Sequence, residues 1–197
     1  MTAGSAGDLR AASRVGARVW LAAAAIWGFA EATLFFFVPD MLLSYVALRR
    51  GWRFALAAAL VATLAALAGG WAMYAWGASH EAQAAMVLDA VPAIAPEMIA
   101  TVRAAMAGDW HAALFTGAVS GVPYKIYAVE AGAAGINLPG FLALSIGARF
   151  LRFAGTILLT ELGRRTLARL GLERYAIAVL GGFWLCLYAV YFAVMPN

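Results

Sequence analysis

Polar chemistry is what this chain has least of. Only 12% of its 197 residues are charged, about half the share of an ordinary soluble domain. One cysteine, Cys186, excludes an intrachain disulfide. Two histidines, His80 and His111, share no ligand spacing, so no histidine metal centre is expected, and both read as solvated surface residues. Ser44, Ser120 and Ser145 lie in apolar runs with no histidine beside them, which argues against a serine nucleophile. No glycine-rich phosphate loop follows a strand pattern. The basic excess is only +4 and sits in short clusters between apolar runs, so nucleic acid is not an expected partner. No cofactor is expected and an enzyme is the weakest reading.

Apolar sequence is what remains. The chain is 65% hydrophobic with a mean hydropathy of +0.84, and several runs reach spanning length. The expected class is an all-α integral membrane protein. A short tail, 1–18, precedes a single membrane domain, 19–196. A basic start followed by residues 20–30 resembles a signal peptide, but the run continues through Phe35, Phe36 and Phe37, so an uncleaved first segment is expected.

Residues 19–48 set the first puzzle. Thirty apolar residues are long for one pass of about 20 and short for two. The run holds Glu31, Pro39 and Asp40, and arginines flank it on both sides: Arg10, Arg14 and Arg18 before, Arg49, Arg50 and Arg53 after. The positive-inside rule puts both clusters in the cytoplasm, so the run is expected to enter and leave on one side, turning near Pro39. Residues 54–76 read as a plain span with a small-residue stripe of Ala55, Ala58, Ala59, Ala62, Ala66 and Gly70. An outer loop is expected over 78–109, with short interfacial helices near 86–91 and 98–106. Residues 110–136 repeat the puzzle, broken at Gly121 and Pro123 and carrying Lys125 and Glu130, and read as a second hairpin entering from the opposite face. Ala128, Ala131 and Gly132 give its second arm a face for close approach. Spans follow at 138–162 and 175–195, separated by a basic loop of Arg164, Arg165, Arg169 and Arg174. The plan is two inverted repeats, each a re-entrant hairpin plus a spanning helix, with a C-terminal helix added. Such a plan is a transporter signature.

The intramembrane charges are Glu31, Asp40, Lys125, Glu130, Arg149 and Arg152. Each is costly alone in hydrocarbon, so pairing is expected. Arg149 and Arg152, three apart, share a helix face. One reading is that the pairs only hold the hairpins together. The other is a polar midplane site in which the basic residues bind a phosphate and the acids carry protons.

Three motifs carry a family resemblance. Glu31 with Pro39-Asp40, then Gly121-Val122-Pro123-Tyr124-Lys125 with Glu130-Ala131-Gly132, then Gly147-Ala148-Arg149-Phe150-Leu151-Arg152-Phe153 resemble the DedA superfamily of VTT, or SNARE-associated-domain, membrane proteins, with the YqaA-like branch nearest. The resemblance covers about residues 19–162. It implies opposed re-entrant hairpins and movement of polyprenyl phosphate or phospholipid across a membrane, often linked to protons. It also implies that Glu31 and Asp40 are the acids of the first hairpin and that Arg149 and Arg152 form the later arginine element. Lys125 stands near where main-branch members carry an arginine. The expected function is a flippase or scramblase for a phosphate-bearing lipid in a bacterial inner membrane, N-terminus cytoplasmic and C-terminus outside. A secondary transporter of a solute or ion and a non-transporting scaffold remain alternatives, and self-association stays open.

Overall fold

A computed structural model describes the backbone of residues 4–194 and the side chains of 16–194. The protein is all-helical, with no strand among the described residues. In chain order the helices are α1 (Gly4–Ala32), α2 (Asp40–Arg50), α3 (Trp52–Asp89), α4 (Pro96–Ala107), α5 (Trp110–Ser120), α6 (Tyr124–Ala133), α7 (Leu138–Arg169) and α8 (Ala176–Val194). A single 3-10 turn, Glu173–Tyr175, leads into α8. Three segments, Trp52–Asp89, Leu138–Arg169 and Glu173–Val194, are long and apolar enough to cross a membrane, which fits a multi-pass membrane protein.

The helices break where the sequence is least helical. The first break runs from Thr33 to Pro39, so Pro39 closes it and Asp40 opens α2. A proline has no N–H to leave unpaired at a helix start, and an acid in the first turn suits the helix dipole. The second break is Gly121–Pro123. Gly121 has φ 84°, a left-handed position that glycine takes without steric cost, and Pro123 precedes α6. The two broken pairs differ: α1 and α2 have 29 and 11 residues, α5 and α6 have 11 and 10.

The helices run past several of the expected segment ends. The tail expected over 1–18 is helical from Gly4, although the side chains of Arg10 and Arg14 fall outside the described residues. The span expected to end at Trp76 continues to Asp89, with one non-helical residue, His80, inside it. Polarity does not end a helix. Ala-rich sequence with Glu and Gln favours one, and the first strong breaker is Pro92. The expected helix at 86–91 is therefore the end of α3, whereas that at 98–106 lies within α4. Likewise Arg164, Arg165 and Arg169 are not in a loop. They ride the last turns of α7, which stops just short of Gly171 at φ 70°. The final residue of the expected last span, 195, is outside the described ones.

Helix α3 is the central post, packed against α1, α2, α6 and α7. Its small-residue stripe, Ala55 through Gly70, is buried throughout. A Cβ on Gly28 would fall on the carbonyl of Ala62, and one on Gly132 would fall on that of Tyr74. These are backbone-on-backbone contacts of the kind that hold helices together in lipid. Ala128 and Ala131 are buried beside Gly132 on α6, as that face requires. Helix α8 is different. Of its residues only Trp184 is buried, and it rests chiefly on α2.

Candidate functional site

The break between α1 and α2 frees backbone groups that need partners wherever they are buried. Three side chains from three helices meet them. Lys125 Nζ donates to the Phe35 carbonyl at 2.7 Å. Trp27 Nε1 donates to the Phe37 carbonyl at 2.9 Å. The Val38 N–H donates to Tyr188 Oη at 2.9 Å. The tip of α6 and the face of α8 thus converge on the first break. Phe35, Phe36 and Phe37 pack there against Trp27, Tyr188 and Phe192.

Two ion pairs join α7 to this break. Arg149 donates to Glu31 at 2.5 Å, with both side chains 4% exposed. Its guanidinium also sits over the rings of Tyr124 and Phe153, 4.5 and 5.3 Å from their centroids, where a cation is favoured by the ring quadrupole. Its Nε is buried without a hydrogen-bond partner. One turn on, Arg152 donates to Asp40 at 2.9 Å, and Thr156 Oγ1 donates to the other Asp40 oxygen at 2.7 Å. Asp40 is 3% exposed here but Arg152 is 21% exposed. The i, i+3 spacing does place both arginines toward the first break, each on its own acid.

A cavity of about 640 Å³ opens between the two breaks, α7 and α8. Glu31, Asp40, Lys125 and Arg152 line its charged end, with Pro123 and Gly121 beside them. Leu159, Leu167, Val179, Leu180, Phe183 and Leu187 supply apolar walls further along. Arg149 does not line this space and Pro39 is buried behind it.

Glu130 lies elsewhere. It is buried on α6 and takes two hydrogen bonds from Arg103 of α4, at 2.8 and 3.1 Å, while Arg103 also pairs with Glu81 at 2.8 Å. The grouping of Glu130 with Lys125, Arg149 and Arg152 is therefore corrected. α6 has about 100° per residue, so five positions on from Lys125 the side chain leaves by another face and meets α4 instead. Arg103 keeps its proton even more firmly than usual, because Glu130 accepts its hydrogen bonds and adds its charge.

Several participants escaped the sequence reading. Thr156 stands four residues after Arg152, a same-face spacing that was legible. Trp184 and Tyr188 are also four apart on α8. Trp184 Nε1 donates to Ser44 of α2 at 3.0 Å, which ties α8 to the site. Their pairing is a tertiary fact with no local signal. Arg103 was visible as the lone basic residue of an acidic stretch. No group of three metal-ligating side chains forms among the described residues.

No family model, curated protein or solved structure matches this chain.

Proposed function

We propose that the chain is a lipid transporter, a flippase or scramblase for a phosphate-bearing lipid, and a member of the DedA superfamily with α1–α2 and α5–α6 as its opposed re-entrant hairpins. The observation that carries this reading is the amphipathic cavity. Lys125, Arg152, Asp40 and Glu31 line it beside the breaks and Arg164 lines it further along α7, between walls rich in leucine, valine and phenylalanine. A soluble ion has no use for apolar walls of that extent, whereas a lipid needs both parts. A guanidinium and an ammonium suit phosphate oxygens, as a fork and as a point charge. Asp40 competes with the phosphate for Arg152, so a head group takes that arginine by displacing the carboxylate. The proposed setting is a bacterial inner membrane, with membrane lipid as the partner, polyprenyl phosphate included, and no catalytic step.

The test is transfer of a fluorescent phosphatidic acid across proteoliposomes holding the full chain. Wild type should move it and Arg152→Gln should move it at least about tenfold more slowly, with both proteins folded. A solute transporter is the second reading, favoured by the charges that share one end of the cavity. Uptake of a soluble anion with no lipid movement would establish it. Movement of neither would leave the scaffold reading standing.

A further inference from the structure

Four cavity-lining residues of α7 follow each other at intervals of four: Arg152, Thr156, Thr160 and Arg164. At that spacing each side chain lies next to the one before it, and the line winds slowly around the helix by about 40° per step. Exposure rises along the series, from partly buried Arg152, Thr156 and Thr160 to exposed Arg164. Twelve residues of helix cover about 18 Å, against a half-thickness of roughly 15 Å for the hydrocarbon core. The opposite wall is apolar: Ala176, Val179, Leu180, Phe183 and Leu187 of α8 face the same space.

From this geometry we infer that α7 carries a head-group track, with an outer station at Arg164 and an inner one at Arg152 and Lys125. The ligand class is a phosphate-bearing lipid, whose charged head follows α7 while its tails lie against α8. The inference rests on the transport reading and adds where the lipid enters and which side chains it passes. At rest each polar group on the track has an acceptor. Arg164 is held by Glu161 at 2.8 and 2.9 Å, Thr160 donates to the Thr156 carbonyl at 2.8 Å, and Thr156 and Arg152 donate to Asp40. Glu161 also accepts from Arg165 at 2.7 Å, so two guanidiniums share one carboxylate at the outer station, with Glu173 close enough to act on Arg164 as well. The hydroxyls are free rotors and can turn toward a passing anion. Gly163 lies beside the track, and a Cβ there would meet no atom within 4 Å. The α7 side of the cavity is therefore open at that level. Leu158, 59% exposed, is not among the cavity-lining residues and serves as a control.

The experiment uses the full chain with Cys186→Ala, which removes its one thiol. Thr160→Cys, Gly163→Cys and Leu158→Cys are added singly, and reaction with a membrane-impermeant anionic thiol reagent is followed in nanodiscs. A thiol in apolar surroundings forms less thiolate, about tenfold less per unit of pKa rise. Thr160→Cys and Gly163→Cys should therefore react at least about tenfold faster than Leu158→Cys. Phosphatidic acid at about ten times its dissociation constant should slow both by roughly tenfold, and phosphatidylcholine with the same tails should not. Equal rates at Thr160→Cys and Leu158→Cys would overturn the track. If wild type still moved lipid, transport would survive and only the path would fall. Fast labelling slowed by glycerol phosphate and not by phosphatidic acid would keep an anion track and overturn the lipid reading. Fast labelling that neither phosphate slows would overturn the track as an anion path. The two cysteine positions are independent, so misfolding of one leaves the other to decide.

Discussion

Arg149 and Arg152 are three residues apart on one helix, and each pairs with an acid from the first break, yet they have different work. Arg149 and Glu31 are both 4% exposed and Arg149 lies off the cavity. Arg152 is 21% exposed, lines the cavity and shares its acid with Thr156. Glu31 borders the cavity, but its pair with Arg149 is almost wholly buried, and such a pair is expensive to separate because each ion left alone keeps its desolvation penalty. A pair at a cavity edge can exchange partners. The inner pair therefore reads as a lock between α7 and α1, and the outer pair as the working site. Helix position alone does not assign these roles. Access does.

The largest effect should come from breaking the lock. Arg149→Met strands Glu31 and should cost about 3–5 kcal/mol, read as a shift in denaturant unfolding of the detergent-solubilised chain. Adding Glu31→Leu should return most of that loss. A double variant as unstable as the single one would break the comparison, since the pair would then matter for more than its own charges. Lys125→Met comes next. It removes the charge-assisted hydrogen bond to the Phe35 carbonyl, which is only partly buried, and should cost about 1.5–3 kcal/mol, with lipid binding weakened as well.

Arg152→Gln should reverse the pattern. Asp40 keeps its hydrogen bond from Thr156, so stability should fall by about 1 kcal/mol, while lost charge-assisted contacts worth about 1.5–3 kcal/mol should slow lipid transfer by at least about tenfold. Equal losses of stability from Arg149→Met and Arg152→Gln would erase the distinction between lock and working site. Gly163→Ala, beside the track, should be neutral or stabilising by up to about 1 kcal/mol, which marks that face as unpacked.

The smallest effect lies outside both pairs. Asp109 caps α5, and hydrogen bonds from the N–H groups of Ala112 and His111 hold its carboxyl below the usual range. A lowered folded-state pKa means this contribution is present above the unfolded value near 3.8 and is lost as pH falls through the folded value. Asp109→Asn should flatten that acid-side dependence in a pH series of unfolding curves and leave lipid transfer unchanged.

Much of the fold was legible because a membrane leaves few choices. Helix breaks at Pro39 and Gly121-Pro123, the Ala and Gly faces of α3 and α6, and the shared direction of Arg149 and Arg152 all follow from local rules of proline, side-chain size and helical spacing. Helix ends were less legible. Expecting helices to stop with their apolar runs failed for α3 and α7, since Ala, Glu, Gln and Arg extend a helix whatever their polarity.

What the sequence determined by itself is that charges must pair in this chain, and where the backbone must break. It could not say which partners would meet. Glu130 goes to Arg103 on α4, Lys125 to a carbonyl freed by the first break, and Tyr188 and Trp184 to α2 and the same break. Only the tertiary structure decided these. Complementary charges attract without regard to sequence position, and the packing of α3 against its neighbours selects which of them come within reach.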